Sequence, residues 1–480
     1  MRVMDVDGLI GWDHAARVIW NLLDDRDLSR FEEGIRSRQE EAGRPCWPPQ
    51  LLISIWLYGY SLGVASARAL SRMMDHEPGL RWLSADQEIN HHTLSDFRVR
   101  HAEALKGLFT QVLAAMEEEG LLDLSTLVQD GTKIRAVAGR QSMHRERTLR
   151  QRLQQAGEVV EQLSHRAESD SDRQEPRVEA AQQRAARERV ARLKAAVEEL
   201  AVRQAEVAES RRAEVRVSES EAEARKMKHA DGSWAPSYNV QVTTEPKSRV
   251  IVSVDVTTDA NDTKQLQPAV ERFHDNTGRL PERVIADNGY ATRENVEVLS
   301  AGNIEMIAPW KPDASRQAGA NAVHGCEAAF SGDQFQSNGD KGLVCPAGCT
   351  LVHIGVRKHH GSVNDVYEAK AEDCLACIHR TACCGNTGKA RRIMRVRESD
   401  AMQEYLARMQ QPEARQLYKL RCAVAEFPHL IVKARWKWTR FSVRGQTKAR
   451  IEAIWVALAY NMRQWIGRKL AAGTVMAQAA

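Results

Sequence analysis

Three acidic residues carry the chemistry that this 480-residue sequence offers: Asp130, Asp287 and Glu426. Asp130 ends an apolar run, Leu124-Ser-Thr-Leu-Val-Gln-Asp130-Gly-Thr-Lys133, and Asp287 ends another, Arg283-Val-Ile-Ala-Asp287-Asn-Gly-Tyr290. Glu426 lies in a helical stretch that begins at Tyr418. Two aspartates at strand ends and a glutamate on a late helix form a metal-holding set. Their oxygens suit hard divalent cations, which promote cleavage and rejoining of phosphodiester bonds. Taken singly, an Asp before Gly or Asn after a strand is a turn residue, and a Glu on an amphipathic helix is usually solvated. The case for chemistry rests on their order, the elements that carry them and the sequence around them.

Those elements are readable. Residues 10–120 have helical patterning. Leu51 to Tyr58 follows Pro48-Pro49, a suitable helix start; Ala65 to Met74 is a second helix, and His92 to His101 a third with Thr93 as its expected N-cap. Arg68, Arg72, Arg98 and Arg100 are expected on the surface, as in a DNA-docking unit, although a plain helical bundle fits the pattern as well. Leu121 to Val137 is the first strand region. Strands return at Tyr238 to Thr244 and at Arg249 to Thr257, which is rich in β-branched residues. A helix from about Lys264 to Asn276, a strand from Arg283 to Ala286, a helix near Thr292 and a strand from Ile304 to Pro309 complete a mixed α/β sheet. In that order the first and fourth strands end near each other, which would bring Asp130 to Asp287.

Two segments interrupt this core. From Gln141 to about Lys228 the chain is mostly Arg, Glu, Gln and Ala. Leu149, Leu153, Ala156, Val160, Leu163 and Ala167 recur at helical spacing, as do Val190, Leu193, Val197 and Leu200, with the polar patch Glu168 to Pro176 between. Apolar residues at that period make a seam and Pro176 breaks the helix, so the segment reads as an antiparallel helical arm whose charges form a solvated face. The second interruption holds most of the nine cysteines. Cys374-x-x-Cys377 has the spacing of one half of a tetrahedral zinc site, with the second pair drawn from Cys345, Cys349 and Cys383; reduced cysteines in a small β insert are the alternative. Val352 to Val356 and Ser362 to Ala369 alternate like a hairpin between them.

Composition narrows the class. The net charge is +4 and the hydrophobic fraction 43%, ordinary for a soluble globular protein. No apolar run approaches the roughly 20 residues of a membrane span, and Met1 to Asp7 lacks the apolar region of a secretory signal. An odd number of cysteines, clustered, predicts a reducing cytoplasmic setting. The tail from Lys389 to Lys469 is rich in Arg and Lys, with Trp436, Trp438 and Phe441 interleaved. Such a surface tracks a phosphate backbone and stacks on bases; buried packing is the other use of the same aromatics.

The motifs together resemble bacterial insertion-sequence DDE transposases whose third catalytic region carries a Tyr-Arg-Glu-Lys signature. Thr93-Leu-Ser-Asp-Phe-Arg98 resembles their N-terminal domain, and Asp130-Gly-Thr-Lys133 and Ala286-Asp-Asn-Gly-Tyr290 resemble the first two catalytic regions. Tyr238-Asn-Val-Gln241 resembles the strand after the helical insert, and Cys345-Pro-x-Gly with Cys374-x-x-Cys377 resembles the cysteine-bearing insert. Arg444-Gly-x-x-Lys448 and Leu458-Ala-Tyr-Asn461 resemble the closing segment. Tyr418, Arg421, Glu426 and Lys433 match the signature with one departure: four residues separate Arg421 from Glu426 where the family has three. One extra residue turns a helical position by about 100°.

The resemblance implies a ribonuclease-H-like fold with an N-terminal helical domain (1–120), a core in two parts (121–310 and 399–470), the inserted arm (141–228) and a cysteine-rich insert (311–398). It implies metal-dependent cleavage at element ends and strand transfer to target DNA. Two Mg2+ ions would lie among the carboxylates, Asp130 bridging both, with Asp287 on one and Glu426 on the other. Tyr418, Arg421, Lys433, Arg444 and Lys448 would contact DNA. Cys345, Cys374, Cys377 and Cys383 would hold a structural Zn2+. The partners implied are terminal inverted repeats, target DNA and a second copy of the chain, in a nucleoid-associated cytoplasmic protein. A nuclease of the same fold, a non-catalytic DNA-binding derivative and a zinc-dependent adaptor are the competing readings.

Overall fold

In the computed structural model, residues 5–33, 46–169, 176–310, 325–339, 342–359, 362–385 and 390–479 are described. The chain forms two compact units, Met1–Ala308 with Pro412–Ala480, and Pro309–Gln411.

The first unit opens with helices Ala15–Asp24, Pro49–Ser61, Ala67–Met73, Pro78–Leu83, His91–Arg100 and Ala102–Glu118. Pro49 occupies the first turn of its helix, where its missing N–H costs nothing, and the run from Leu51 to Tyr60 is buried. The helix at His91 is capped by Asn90, whose side chain accepts from the His92 N–H, and not by Thr93. Asn is at least as good a cap as Thr and lies nearer the turn. Arg68, Arg72 and Arg100 are exposed as expected, but Arg98 is buried. Its guanidinium donates to Ala65 O (2.7 Å) and Ser442 Oγ (2.8 Å) and sits over the Trp56 ring. A buried guanidinium that satisfies internal acceptors is a packing element, so Arg98 is withdrawn from any DNA-docking face.

The sheet of this unit contains β1 (Thr126–Arg135), β4 (Arg225–Lys228), β5 (Trp234–Thr244), β6 (Ile251–Thr257), β7 (Arg283–Ile285) and β8 (Glu305–Ile307). A short pair, β2 (Met143–His144) and β3 (Val217–Ser218), closes the base of the arm. The sheet order is β4-β5-β1-β7-β8, with β6 also on β5. β1 runs antiparallel to β5 and parallel to β7, and β7 parallel to β8, so the sheet is mixed and consistent with a ribonuclease-H-like domain. Asn461 pins the start of β6: its side chain accepts from Ile251 N–H (2.9 Å) and donates to Ile251 O (2.7 Å). The Leu458-Ala-Tyr-Asn461 motif is thereby a structural clasp.

The arm is a pair of helices, Glu146–Ser169 and Pro176–Ala205. They are antiparallel, since Gln183 donates to Leu163 O near one end and Gln204 to Glu146 Oε2 at the other. Leu149, Ala156, Leu193, Ala196 and Leu200 bury their side chains in the seam, with Val217 at its base. The polar link between the helices lies largely outside the described residues.

The second unit holds a five-stranded sheet in the order β13-β12-β11-β10-β9, of β9 (Gln336–Ser337), β10 (Gly342–Val344), β11 (Thr350–His359), β12 (Ser362–Ala369) and β13 (Arg392–Val396). Its core is Phe330, Phe335, Leu343, Leu351, Ala369, Cys383, Cys384 and Ile393. The unit extends past the expected 311–398 because helix Asp400–Gln410 joins it, with Tyr405 packed edge-on against Trp310 at 6.4 Å. Among the described residues, no helix is long and apolar enough to cross a membrane.

Candidate active site

Strand register brings the two aspartates together. β1 and β7 pair in parallel with Val128 opposite Ile285, and Asp130 and Asp287 each lie two residues further along. Adjacent parallel strands place such equivalent positions side by side. β7 ends at Ile285 and the chain turns at once: Gly289 N–H donates to Asp287 Oδ1 (2.7 Å), and Tyr290 N–H to Asp287 O (3.2 Å). One aspartate therefore sits within a strand and the other in the turn beside it.

Alternation along β1 separates two chemistries. Asp130, Thr132 and Ile134 lie on one face with Val240 and Val242 of β5, under Pro428, His429, Val432 and Lys433. Gln129 and Gly131 lie on the other, opposite Thr243 and Gln241.

The covering helix is Pro412–His429, which widens into a π-turn over Leu430–Arg435. Pro428 has no N–H for the helical ladder, and the change of winding follows it directly. From this helix Arg421 reaches both aspartates. Its Nη2 lies 2.8 Å from Asp130 Oδ1 and 3.8 Å from Asp287 Oδ2. His429 Nε2 stands 3.4 Å from Asp130 Oδ2. Lys433 Nζ donates to Thr132 Oγ1. Tyr418 is half-buried beside Arg421 and Asp287, and burial pushes its hydroxyl up.

The aspartates differ in environment. Burial alone would raise the Asp130 carboxyl, but His429 and Arg421 outweigh it and hold it below its ordinary range. Asp287 is raised, first by burial and then by the negative charges of Asp130 and Asp262, against Gly289 N–H and Arg421. Burial lowers Lys433, against the attraction of Asp130.

Glu426 does not join the pair. It is exposed, and among the described residues no group of three His, Cys, Asp or Glu side chains is arranged to hold a metal ion. Helical phase explains this. Glu426 lies about 140° around the helix from Arg421, so an Arg421 that faces Asp130 turns Glu426 outward. The four-residue spacing noted in the sequence has this effect. Arg421 and Lys433, expected to contact DNA, are engaged with Asp130 and Thr132.

Asp130 and Asp287 do fit a cation in this arrangement, because the Arg421 guanidinium already serves both as one. Arg444 and Lys448 are exposed near the start of the C-terminal helix Gln446–Ala479, and among the described residues neither makes an ion pair. Trp436, Trp438 and Phe441 are buried, which decides for packing between the two uses that the sequence left open. Trp438 donates to Glu452 Oε1 (3.0 Å) and packs edge-on against Phe441.

The cysteines also depart from expectation. Cys345, Cys374, Cys377 and Cys383 line one small cavity together with Cys349 and Cys384, all as free thiols, yet they do not form a zinc-holding set. Cys383 and Cys384 are core residues packed with Phe330 and Leu351, and burial pushes the Cys383 thiol up to about 12. Arg391 takes up part of the remaining sulfur, donating from its backbone N–H to Cys374 Sγ (3.5 Å) and from Nη1 to Cys326 Sγ (2.7 Å).

Sequence reasoning missed His429 and Asp262. His429 lies eight residues after Arg421, about 80° around a regular helix and so nearer to its side than Glu426, which is the one signal the sequence carried for it. Asp262 lies in a polar loop after β6, where nothing in the local pattern marks it.

Residues 212–462 match the family model described as Transposase DDE domain, just over half of the chain. That span includes Asp287 and Glu426 but begins after Asp130. Residues 5–100 match a second model, Transposase domain (DUF772). No curated protein and no solved structure matches the chain.

Proposed function

The chain belongs to the transposase DDE-domain family, and from that premise we propose that it cleaves DNA at the ends of a mobile element and joins those ends to target DNA. The observation that carries this reading is the shared cation: one guanidinium nitrogen serves both Asp130, within β1, and Asp287, in the turn just after the adjacent parallel strand β7.

In this reading Asp130 and Asp287 would hold divalent magnesium in place of the Arg421 guanidinium; Glu426, exposed on the outward side of its helix, would reach the ion only after that helix turns. Bound magnesium would stabilise charge on the entering and leaving oxygens and lower the pKa of an attacking water. The chain's own groups do the rest. Asp130, kept ionised by His429 and Arg421, is ready to act as a ligand at neutral pH. Arg421, released from the aspartates, binds a phosphate oxygen of the strand to be cut, where its planar fork suits bidentate contact. Lys433, on the same side of β1 as Asp130, neutralises a neighbouring phosphate. Tyr418 packs beside the nucleotide at the cut. Arg444 and Lys448, without an ion pair among the described residues, track the duplex backbone. Bringing two element ends together calls for a second copy of the chain.

Cleavage of duplex DNA carrying the element's own ends tests this directly. Asp130→Asn and Asp287→Asn should each lower Mg2+-dependent cleavage by about three orders of magnitude, the loss expected when several kcal/mol of charge stabilisation disappears. DNA binding should persist. Normal cleavage by either variant rejects that residue as a ligand. Cleavage of end DNA with no joined product would leave a nuclease of the same fold.

A further inference from the structure

Beneath the two aspartates, on the opposite face of β1, the sheet is polar where a core is expected. Gln129, Asn239, Gln241, Thr243 and Tyr290 are all buried. They come from the alternating polar positions of Tyr238-Asn-Val-Gln-Val-Thr-Thr244, from the residue before Asp130 and from the turn after Asp287. Buried polar groups at this density need hydrogen-bond partners, and here, apart from Asn239 Oδ1, which has none among the described residues, they form a directed ladder. Thr243 Oγ1 donates to Gln129 Oε1 (2.6 Å), and Gln129 Nε2 donates to Gln241 Oε1 (2.9 Å). The Tyr290 hydroxyl donates to the same Gln241 Oε1 (2.6 Å). Gln241 is thus the joint between the strand of Asp130 and the turn of Asp287.

A glutamine amide has two ends, and only one orientation serves this joint. Gln241 must present its oxygen to Gln129 and Tyr290, which leaves its NH2 facing the loop after β6. Asp262 meets it there. Asp262 Oδ1 accepts from Gln241 Nε2 (2.7 Å) and from Asn239 Nδ2 (2.7 Å). An acceptor oxygen at this position fixes which end of the amide points where. The approach is close enough to require glycine at 131: a Cβ there would collide with Asp262 Oδ1 and come within 2.7 Å of Gln241 Nε2.

We propose that Asp262 is a positioning residue for the active site: by orienting the Gln241 amide it locks the strand of Asp130 to the turn of Asp287 and sets the spacing at which the two carboxylates hold a divalent cation. This rests on the proposed function above. It also gives a role to the Tyr238-Asn-Val-Gln241 motif that the catalytic reading leaves unused. Asp262 itself touches neither Arg421 nor the reacting groups.

The test uses the full chain bound to duplex DNA carrying the element ends, with the Mn2+ concentration at half-maximal thermal stabilisation as the readout beside cleavage. Asp262→Ala should raise that midpoint and lower cleavage by about 10–100-fold, the range typical when a group supporting a metal ligand is lost. Asp262→Asn keeps an acceptor oxygen for Gln241 and Asn239 and should restore both to within about threefold. Gly131→Ala should mimic Asp262→Ala by pushing the carboxylate away from the ladder. A well-folded Asp262→Ala variant with an unchanged Mn2+ midpoint overturns the proposal. An Asp262→Asn variant as impaired as Asp262→Ala overturns it too, because charge would then be the property that matters. Should Asp262→Ala fail to fold, Gly131→Ala and Asp262→Asn decide between the same outcomes. Asp130→Asn is the control. A wild-type response to Mn2+ that Asp130→Asn retains defeats the metal-site reading itself, whereas one lost in Asp130→Asn but kept in Asp262→Ala defeats only this inference.

Discussion

Arg421 Nη2 lies 2.8 Å from Asp130 Oδ1, and from there it also reaches Asp287. A side chain that supplies positive charge to both aspartates competes with any metal ion for them. Replacing Arg421 with alanine should therefore act in two opposite ways. Without divalent cations the protein should lose about 2 kcal/mol of stability, the scale of a charged hydrogen bond. With them, and without DNA, the variant should show half-maximal Mn2+ stabilisation at a concentration several-fold below wild type. Thermal unfolding across a Mn2+ series reads both. An unchanged or higher midpoint would show that Arg421 does not compete with the metal.

The two aspartates should respond to pH with opposite signs. Asp130 has a folded-state pKa below its ordinary 3.8. Its ionised form stabilises the fold above that value, and the contribution is lost as pH falls through the lower folded value. Asp287 has a folded-state pKa above 3.8. The folded chain then keeps a proton that the unfolded chain has released, so stability declines as pH rises from 3.8 through the raised value. At neutral pH, Asp130→Asn should be less stable than wild type, and Asp287→Asn as stable or more so. Denaturant unfolding at pH 7 and near pH 4 measures the contrast, and the Asp287→Asn difference should shrink at the lower pH. Two variants shifted in the same direction at pH 7 would contradict the assigned environments.

Much of this site was legible in the sequence, and the part that was not has physical causes. The apolar runs before Asp130 and Asp287 mark strands, although β1 continues past Asp130 to Arg135, and strand order alone brings β1 beside β7. Side-chain direction on the covering helix was less accessible. The signature resemblance proposes Glu426 as the third carboxylate, while the spacing from Arg421 determines which of the two faces the sheet, and here it is Arg421. The aromatics of the tail read equally as stacking platforms or as core, because Trp and Phe serve both uses; burial decided for core at Trp436, Trp438 and Phe441. The cysteine spacings suggested a ligand set, but Cys383 belongs to the hydrophobic interior of its unit. Asp262 was invisible because its function depends on contacts with residues of β5 more than twenty positions earlier.

Exposed basic residues with no internal partner are the ones free to release counterions from DNA. Among the described residues, Arg444 and Lys448 are exposed and make no ion pair. Each phosphate contact contributes about 0.9 to the slope of log K against log salt. Arg444→Ala and Lys448→Ala should each weaken DNA binding uniformly across sequences and lower that slope by about one, as read in a fluorescence titration from 50 to 200 mM salt, the range over which such contacts are strongly screened. An unchanged slope would remove the residue from the interface.

The buried Arg98 makes a different kind of demand. Its guanidinium donates to Ser442 Oγ, and Ser442 Oγ donates in turn to Glu452 Oε2 at 2.9 Å. Glu452 also accepts from Trp438 Nε1 and from the Ser442 N–H. Burial pushes the Glu452 carboxyl up, and Arg98, Trp438 and Ser442 work against that shift. The chain of bonds joins helix His91–Arg100 to the segment that follows the π-turn, so it holds the N-terminal helices to the last part of the catalytic unit. Glu452→Ala should strip the compensation from a buried guanidinium and leave three donors without their acceptor, at a cost of about 3 kcal/mol. Arg98→Met, of similar length and without charge, should cost less than Arg98→Ala, because the stem packed over Trp56 is kept. Urea unfolding midpoints rank the three variants. Glu452→Ala as stable as wild type would mean that water reaches Arg98 and that the network does not bind the two parts together.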